Sequence, residues 1–279
     1  YHIDGFRFDL GKLIDWKTIE LIKVEAEKIN PHVFITCEPW GGGYDPNGFS
    51  DRGWSSWNDQ FRNAFKGWHP DGNGGLLFGK WHHDYGFYKI QRMFMGSLRS
   101  HGGQYIDVSH SVNYLESHDD FTLGDFIKIE TGLFNHDSRI EDVDAHAQLT
   151  RNELFIHKLG AMALFASQGP IMIAQGQEWG RSKVISPSEF PDKNVGKLDH
   201  NSYEKDNETN WLNWNHRDAN FELVEFYKLL IKIRKENELL RNTTPENFQF
   251  IVANGSNVAI GFMISDGVDS IAILMNSHQ

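Results

Sequence analysis

A single cysteine, Cys37, stands in 279 residues. One thiol excludes an internal disulfide framework and any metal site built from clustered cysteines, and leaves the compartment open. Also missing is any run approaching the ~18 uninterrupted apolar residues that a membrane-spanning helix needs. Positive charge is scarce: 27 Lys and Arg face 38 Asp and Glu, for a net charge of −11. A nucleic-acid backbone would on average be repelled, so the expected partner is neutral or cationic, and neither nucleic acid nor membrane is expected. Internal repeats and low-complexity segments are absent. Asn73-Gly74-Gly75 and Gly79-Lys80 lack the spacing and the Ser or Thr of a phosphate-binding loop. His82-His83-Asp84 places adjacent imidazoles in different directions with no helical histidine pair to support them, so no metal site is assigned. Loop carboxylates such as Asp45, Asp51 or Asp71 could hold a structural calcium, which leaves no compact signature, although solvation is their default; no other cofactor is implied.

What is present suits a soluble globular chain: 39 % hydrophobic and 23 % charged residues, with length enough for a sizeable core. Aromatic residues reach 13 %, including 9 Trp, beside 26 Gly. Flat aromatic faces over loops suit sugar rings, and they pack equally well into cores, which applies to Trp40, Trp68 and Trp81 alike.

The sequence opens directly into Tyr1-His2-Ile3-Asp4-Gly5-Phe6-Arg7-Phe8-Asp9, which alternates like a strand with no leader and no initiator Met, so a longer chain upstream is expected. Residues 16–30 carry Ile19, Leu21, Ile22, Val24 and Ala26 at mostly helical spacing and stop before Pro31. The β-branched run at 33–38 then completes a strand, helix, strand order that predicts a parallel βαβ unit. Further strands are expected at 55–59, 112–116 and 171–174, with helices at 87–98, 152–166 and 221–241 and a long surface loop at 67–86. From residue 248 only short strands follow, at 248–253, 258–264 and 270–275, too few to close a sandwich. Five parallel strands fall short of an eight-stranded α/β barrel, which spans ~250 residues, so the sheet is open or its front is missing.

Alternation puts Arg7 and Asp9 on one face of the first strand and Phe6 and Phe8 on the other, where the rings are expected to pack on helices. Asp9 ends that strand, Glu38 ends the next ahead of Pro39-Trp40-Gly41-Gly42-Gly43, and Asp119 follows His118 at a third strand end. In a barrel these three carboxylates converge on one mouth. The set suits glycoside cleavage with retention: Asp9 as nucleophile, kept ionised by Arg7, and Glu38 as acid/base, its proton held by partial burial and neighbouring negative charge. Asp119 would offset the oxocarbenium charge, and His118 would donate to a sugar hydroxyl. Taken singly, each acid reads as a cap or loop hydrogen-bonder, Arg7 as an ion-pair partner and His118 as a structural group.

These strings resemble the α-amylase superfamily, and within it the pullulanase and isoamylase type of debranching enzymes. Asp4-Gly5-Phe6-Arg7-Phe8-Asp9-Leu10 resembles the family's fourth barrel strand with its nucleophile, and Cys37-Glu38-Pro39-Trp40 the fifth with its acid/base. Glu116-Ser117-His118-Asp119-Asp120 is similar to the seventh-strand motif, with Ser117 where many amylases have Asn. Gly176-Gln177-Glu178 follows an eighth strand, and His200-Asn201-Ser202-Tyr203 ahead of Asn213-Trp214 resembles the pullulanase-type loop beyond it. Asp120 stands where Asn is common and Ile171 where Pro is frequent. The third-strand motif is missing.

The resemblance implies a partial (β/α)8 barrel, strands four to eight, over 1–245, and the beginning of a C-terminal β-sandwich domain over 246–279. It implies a retaining hydrolase of α-glucans, acting at α-1,6 branch points, with Asp9, Glu38 and Asp119 catalytic and Arg7, His118, Trp40, Asn201 and Tyr203 binding substrate. The parent enzyme rather than this chain is expected to be active, since another chain or the missing barrel half must cover two parallel edges. A branching-type transglycosylase and a non-catalytic glucan-binding module are the alternatives.

Overall fold

The computed structural model describes residues 3–80, 86–189, 192–251 and 258–277. The His82-His83-Asp84 string and Trp81 lie outside them. The first unit is the expected βαβ: β1 (Gly5–Phe8), α1 (Trp16–Ile29) and β2 (Phe34–Cys37), with the strands parallel and in register from Gly5 opposite Phe34 to Phe8 opposite Cys37. The Asp15 carboxylate starts α1 by accepting from the Thr18 amide at 3.0 Å and the Thr18 hydroxyl at 2.7 Å. Gly5 is required by close approach, because a Cβ there would stand 2.2 Å from the Phe34 carbonyl oxygen.

After α2 (Pro46–Ser50), β3 (Ser55–Trp57) adds to β2; α3 (Asp59–Phe65) and α4 (Phe87–Phe94) then lead to β4 (Ser111–Val112). The sheet order is β1-β2-β3-β4, all parallel. Three helices, α5 (Leu123–Glu130), α6 (Val143–Ala147) and α7 (Arg151–Ala166), separate β4 from Ile171, which meets Asn113 in a parallel bridge. α8 (Trp214–Ala219) and α9 (Phe221–Glu236) precede an antiparallel sheet of β5 (Phe248–Ile251), β6 (Ala259–Ser265) and β7 (Ser270–Asn276).

The largest core packs the helices that follow β3 and β4 against the antiparallel sheet. Phe61 and Phe65 of α3, Phe94 of α4, Leu123 and Ile127 of α5, and Ile156 and Leu164 of α7 pack in a single cluster with Ile260 and Phe262 of β6. Phe94 and Phe262 are 4.6 Å apart between ring centroids. A second cluster, Ile19, Ile35, Cys37, Phe49 and Trp54, seats α1 and α2 on β2.

Three expectations are corrected. Phe8 packs on Trp54 at 4.9 Å, but Phe6 is 51 % exposed, because β1 is the outer strand and none of the described residues covers that part of it. The segment from residue 67 does not stay on the surface: Leu76 and Leu77 plunge into the core on a 3₁₀ turn. The strand expected at 171–174 pairs only through Ile171, with the Asn113 amide donating to the Pro170 carbonyl and the Met172 amide to that of Asn113, both at 2.9 Å. Beyond it the chain turns into the Gly176–Gly180 bend, so the ladder has no length over which to continue.

The approach to this bridge is fixed by Arg234 of α9. Its buried guanidinium donates to the carbonyls of Phe165 (2.6 Å), Ser167 (2.9 Å) and Gly169 (2.8 Å), at the C-terminal end of α7 and the turn after it, and to that of Leu240 (2.8 Å), just beyond α9. Only a planar fork reaches four acceptors at once. Arg234→Ala is expected to cost about 3–5 kcal/mol in urea denaturation by leaving these carbonyls unsatisfied, and Arg234→Lys to recover less than half of it. A loss under 1 kcal/mol would show that water replaces the guanidinium.

Candidate active site

The parallel strands end on one rim, and the site is built there from the turns that follow them. After β1 the chain reverses at Leu10, which holds a left-handed φ of 42°. That turn aims the Leu10 amide at Glu38 Oε2 (3.0 Å), while the Gly11 amide donates to the Glu38 carbonyl (2.9 Å) and the Lys12 amide to that of Trp40 (3.0 Å). The loops after β1 and β2 are therefore stitched together around one carboxylate.

Glu38 is 2 % exposed. Burial pushes its carboxyl up to about 7, with the Leu10 amide and Arg7 opposing that rise and a hydrogen bond to Asp9 adding to it. The same Arg7 nitrogen lies 3.0 Å from Asp9 Oδ1 and in contact with Glu38 Oε1. One guanidinium thus bridges the two acids and keeps them close together, as the short carboxyl separation of a retaining pair requires. Asp9 itself is open to solvent. On the other side His118 Nε2 stands 3.8 Å from Glu38 Oε1 and 3.6 Å from Asp119 Oδ1. Asp9, Glu38 and Asp119 are thereby gathered in one chain of contacts, with Arg7 and His118 between them.

Beneath this chain lies Trp57 of β3. Arg7 sits over its indole at 4.8 Å, and His118 and Trp40 meet it edge-on at 5.9 and 6.0 Å. Its importance was not readable from sequence, because a Trp in a short strand looks like ordinary core. Neighbouring Cys37 is buried, and its thiol is held far above the ordinary range by desolvation, which makes it inert.

Asp119 opens onto a cleft of about 730 Å³ lined by Trp40, Tyr44, Asp59, Arg62, Trp68 and His69, among others. Asn201 lines it as well, held by an antiparallel bridge to Asp119. Tyr203 does not line it and is largely exposed. The Asp59, Arg62 and Tyr114 group went unread: Tyr114 donates to Asp59 at 2.6 Å and Arg62 to Tyr114 at 2.8 Å. The i,i+3 spacing of Asp59 and Arg62 at the start of α3 was the available signal. Asp120 holds φ 67° and pairs with the fully buried Lys66 at 3.3 Å. A buried ammonium needs a carboxylate, which gives a reason for Asp rather than Asn at this position.

Glu38, His118 and Asp119 bring three donor atoms within 4.8 Å of one another and are the set that could hold a metal ion among the described residues. Arg7 already places a positive charge on the Glu38 oxygen that such an ion would share. Asp45 and Asp51 stand at opposite ends of α2 and Asp71 on the loop after α3, and each pairs with a different basic group: Lys12, Arg99 and His136.

No protein-family model matches the chain. It is 28 % identical over 265 residues to a pullulanase of Bacillus subtilis, covering 89 % of this chain and 32 % of that protein. It is 27 % identical over 261 residues to a glycogen debranching enzyme of Erwinia tasmaniensis, 84 % of this chain and 35 % of the relative. Among solved structures, the pullulanase from Bacillus acidopullulyticus superposes with a TM-score of 0.76 at 25 % identity, covering 99 % of this chain and 32 % of the other. The chain is a homologue of debranching enzymes. It spans about a third of the curated relatives it matches. A pullulanase from Paenibacillus barengoltzii, with a TM-score of 0.76, 25 % identity, and coverage of 100 % of this chain and 42 % of that one, was solved with maltohexaose and α-cyclodextrin.

Glu116, three residues before Asp119, is buried, and desolvation pushes its carboxyl up to about 7 against the Leu123 amide that donates to it at 2.8 Å. From pH 4.5 to about 7 the folded chain keeps a proton there that the unfolded chain has released, so this group's contribution to stability is lost as pH rises through that window. The unfolding free energy of wild type minus that of Glu116→Gln should therefore fall across it. A difference that rises instead would mean the carboxyl is ionised in place.

Proposed function

We propose that the protein carrying this chain is a retaining glycoside hydrolase of α-glucans that cleaves α-1,6 branch points. The observation that carries the reading is Arg7 bridging an exposed Asp9 and a buried Glu38 whose proton is retained near neutrality. Asp9, open to solvent, attacks the anomeric carbon as Glu38 gives its proton to the departing glycosidic oxygen. The C–O bond to the leaving chain breaks and a glycosyl ester to Asp9 forms. Glu38, now ionised, takes a proton from water, whose oxygen displaces Asp9 and restores it. Asp119 offsets the positive charge that develops on the sugar ring in both steps, and His118 donates to a hydroxyl of the same sugar. Trp40 stacks on the chain at the cleft wall, and Asn201 donates from the bridged loop.

The maltohexaose and cyclodextrin bound by the Paenibacillus barengoltzii pullulanase support an α-glucan as the ligand of this cleft as well. The four parallel strands and the Ile171 bridge then correspond to strands four to eight of a (β/α)8 barrel, and β5 to β7 to the start of a C-terminal β-domain. The exposed Phe6 on outer strand β1 supports this placement, since in a closed barrel another parallel strand covers that edge. The isolated chain is expected to turn over weakly or not at all, because the cleft wall on the β1 side comes from elsewhere.

In the protein that carries this segment, Asp9→Asn and Glu38→Gln should each lower kcat on pullulan by roughly 10³-fold or more with KM little changed. The wild-type rate should decline as pH rises past about 7, where Glu38 loses the proton it must donate. Retained activity in Asp9→Asn, or a product of inverted anomeric configuration, would refute the assignment.

A further inference from the structure

Residues 67–74 form a small hairpin on the cleft wall, closed by an antiparallel bridge between Gly67 and Gly74. It carries Trp68 and His69, both of which line the cleft, and the Trp68 indole is 66 % exposed. The direction of such a projecting ring depends on the short, glycine-rich turn that carries it. Gly67 is at φ 108°, and a Cβ on it would stand 2.2 Å from the Asn73 carbonyl oxygen, so the turn closes too tightly for any other residue.

The turn is held by Glu130, the last residue of α5. Its fully buried carboxylate accepts from the Gly72 amide on Oε2 at 2.9 Å, and from the Gly74 amide and the Lys80 ammonium on Oε1 at 3.0 and 2.8 Å. Two amides at the returning arm and one cation behind it are thereby held by a single side chain. The outgoing arm is held separately, since His69 Nδ1 meets Asp120 Oδ1 at 3.2 Å and Lys66, at the hairpin root, meets Asp120 Oδ2 at 3.3 Å. α5 connects the two anchors. It starts three residues after Asp120, ends at Glu130, and is buried along Leu123–Ile129. A rigid helix thus ties the hairpin to the backbone that carries Asp119.

We propose that Glu130 is a positioning residue that clamps the Trp68 hairpin as a stacking wall for the glucan chain, and so sets affinity for the substrate without taking part in bond cleavage. The proposal rests on the reading of the cleft as a glucan site. The neutral amide of Glu130→Gln presents an N–H to one of the hairpin donors and loses the Lys80 pair, which releases the returning arm while α5 stays helical.

The test has two readouts on the full chain. Hydrogen exchange of the amides in 67–75 should quicken at least about tenfold in Glu130→Gln with the parallel sheet unchanged; an unchanged rate would overturn the clamp whatever the cleft binds. Titration calorimetry with maltohexaose should then show binding weakened about tenfold by Trp68→Ala and about fivefold by Glu130→Gln, with the double variant no weaker than Trp68→Ala alone. Additive losses, or full affinity in Glu130→Gln, would overturn the role in affinity. No binding by the wild type would instead defeat the glucan reading, and with it the stacking wall, while leaving the exchange result to judge the clamp.

Discussion

A carboxyl group shut away from water beside a single shared guanidinium is the constraint around which this rim is organised. Burial alone would make Glu38 a weak acid, and Arg7 alone would make it a strong one; the balance leaves it near 7 because desolvation outweighs the ion pair. Arg7 can serve two acids only if its plane is fixed, and the Trp57 indole beneath it does this at 4.8 Å. The same indole supports His118 and Trp40, so one β3 side chain sets the positions of groups from β1 and from two loops.

The backbone contributes as much as the side chains. Leu10 and Asp120 both hold a left-handed conformation that non-glycine residues avoid, and each directly follows a site carboxylate. At Leu10 the chain has just left β1, and at Asp120 it turns from the loop after β4 toward α5. The reversal at Leu10 brings an amide to Glu38, and the one at Asp120 faces a carboxylate to buried Lys66. Strain of about 1 kcal/mol at each turn is offset by the contacts that the turn makes available.

Around the rim the structure divides into firm and open parts. Arg234 and the core shared by α3, α4, α5, α7 and β6 fix the side of the sheet near Ile171. The β1 side leaves Phe6 uncovered. The chain spans about a third of the length of the curated relatives it matches.

Much of this was legible in the residues themselves. The parallel βαβ unit followed from alternation in 3–9, helical spacing in 16–30 and the β-branched run before Glu38, because hydrophobic period is a local property of the chain. The strand-end positions of Asp9 and Glu38 followed from the same local reasoning, whereas the strand expected at 112–116 stops at Val112 and leaves Asp119 on the loop after β4. The gathering of the three did not follow, since it depends on which strands pair and on how sharply each following loop turns. Nor did sequence mark Trp57 as a floor, Asp59 and Arg62 as cleft lining, or Glu130 as the anchor of a hairpin 56 residues earlier. Tyr203 matched a motif and is exposed outside the residues that line the cleft. Composition and spacing determined which side chains are carried at the ends of strands; only the tertiary structure decided which of them share a space, because proximity across loops is set by long-range packing that no local pattern encodes.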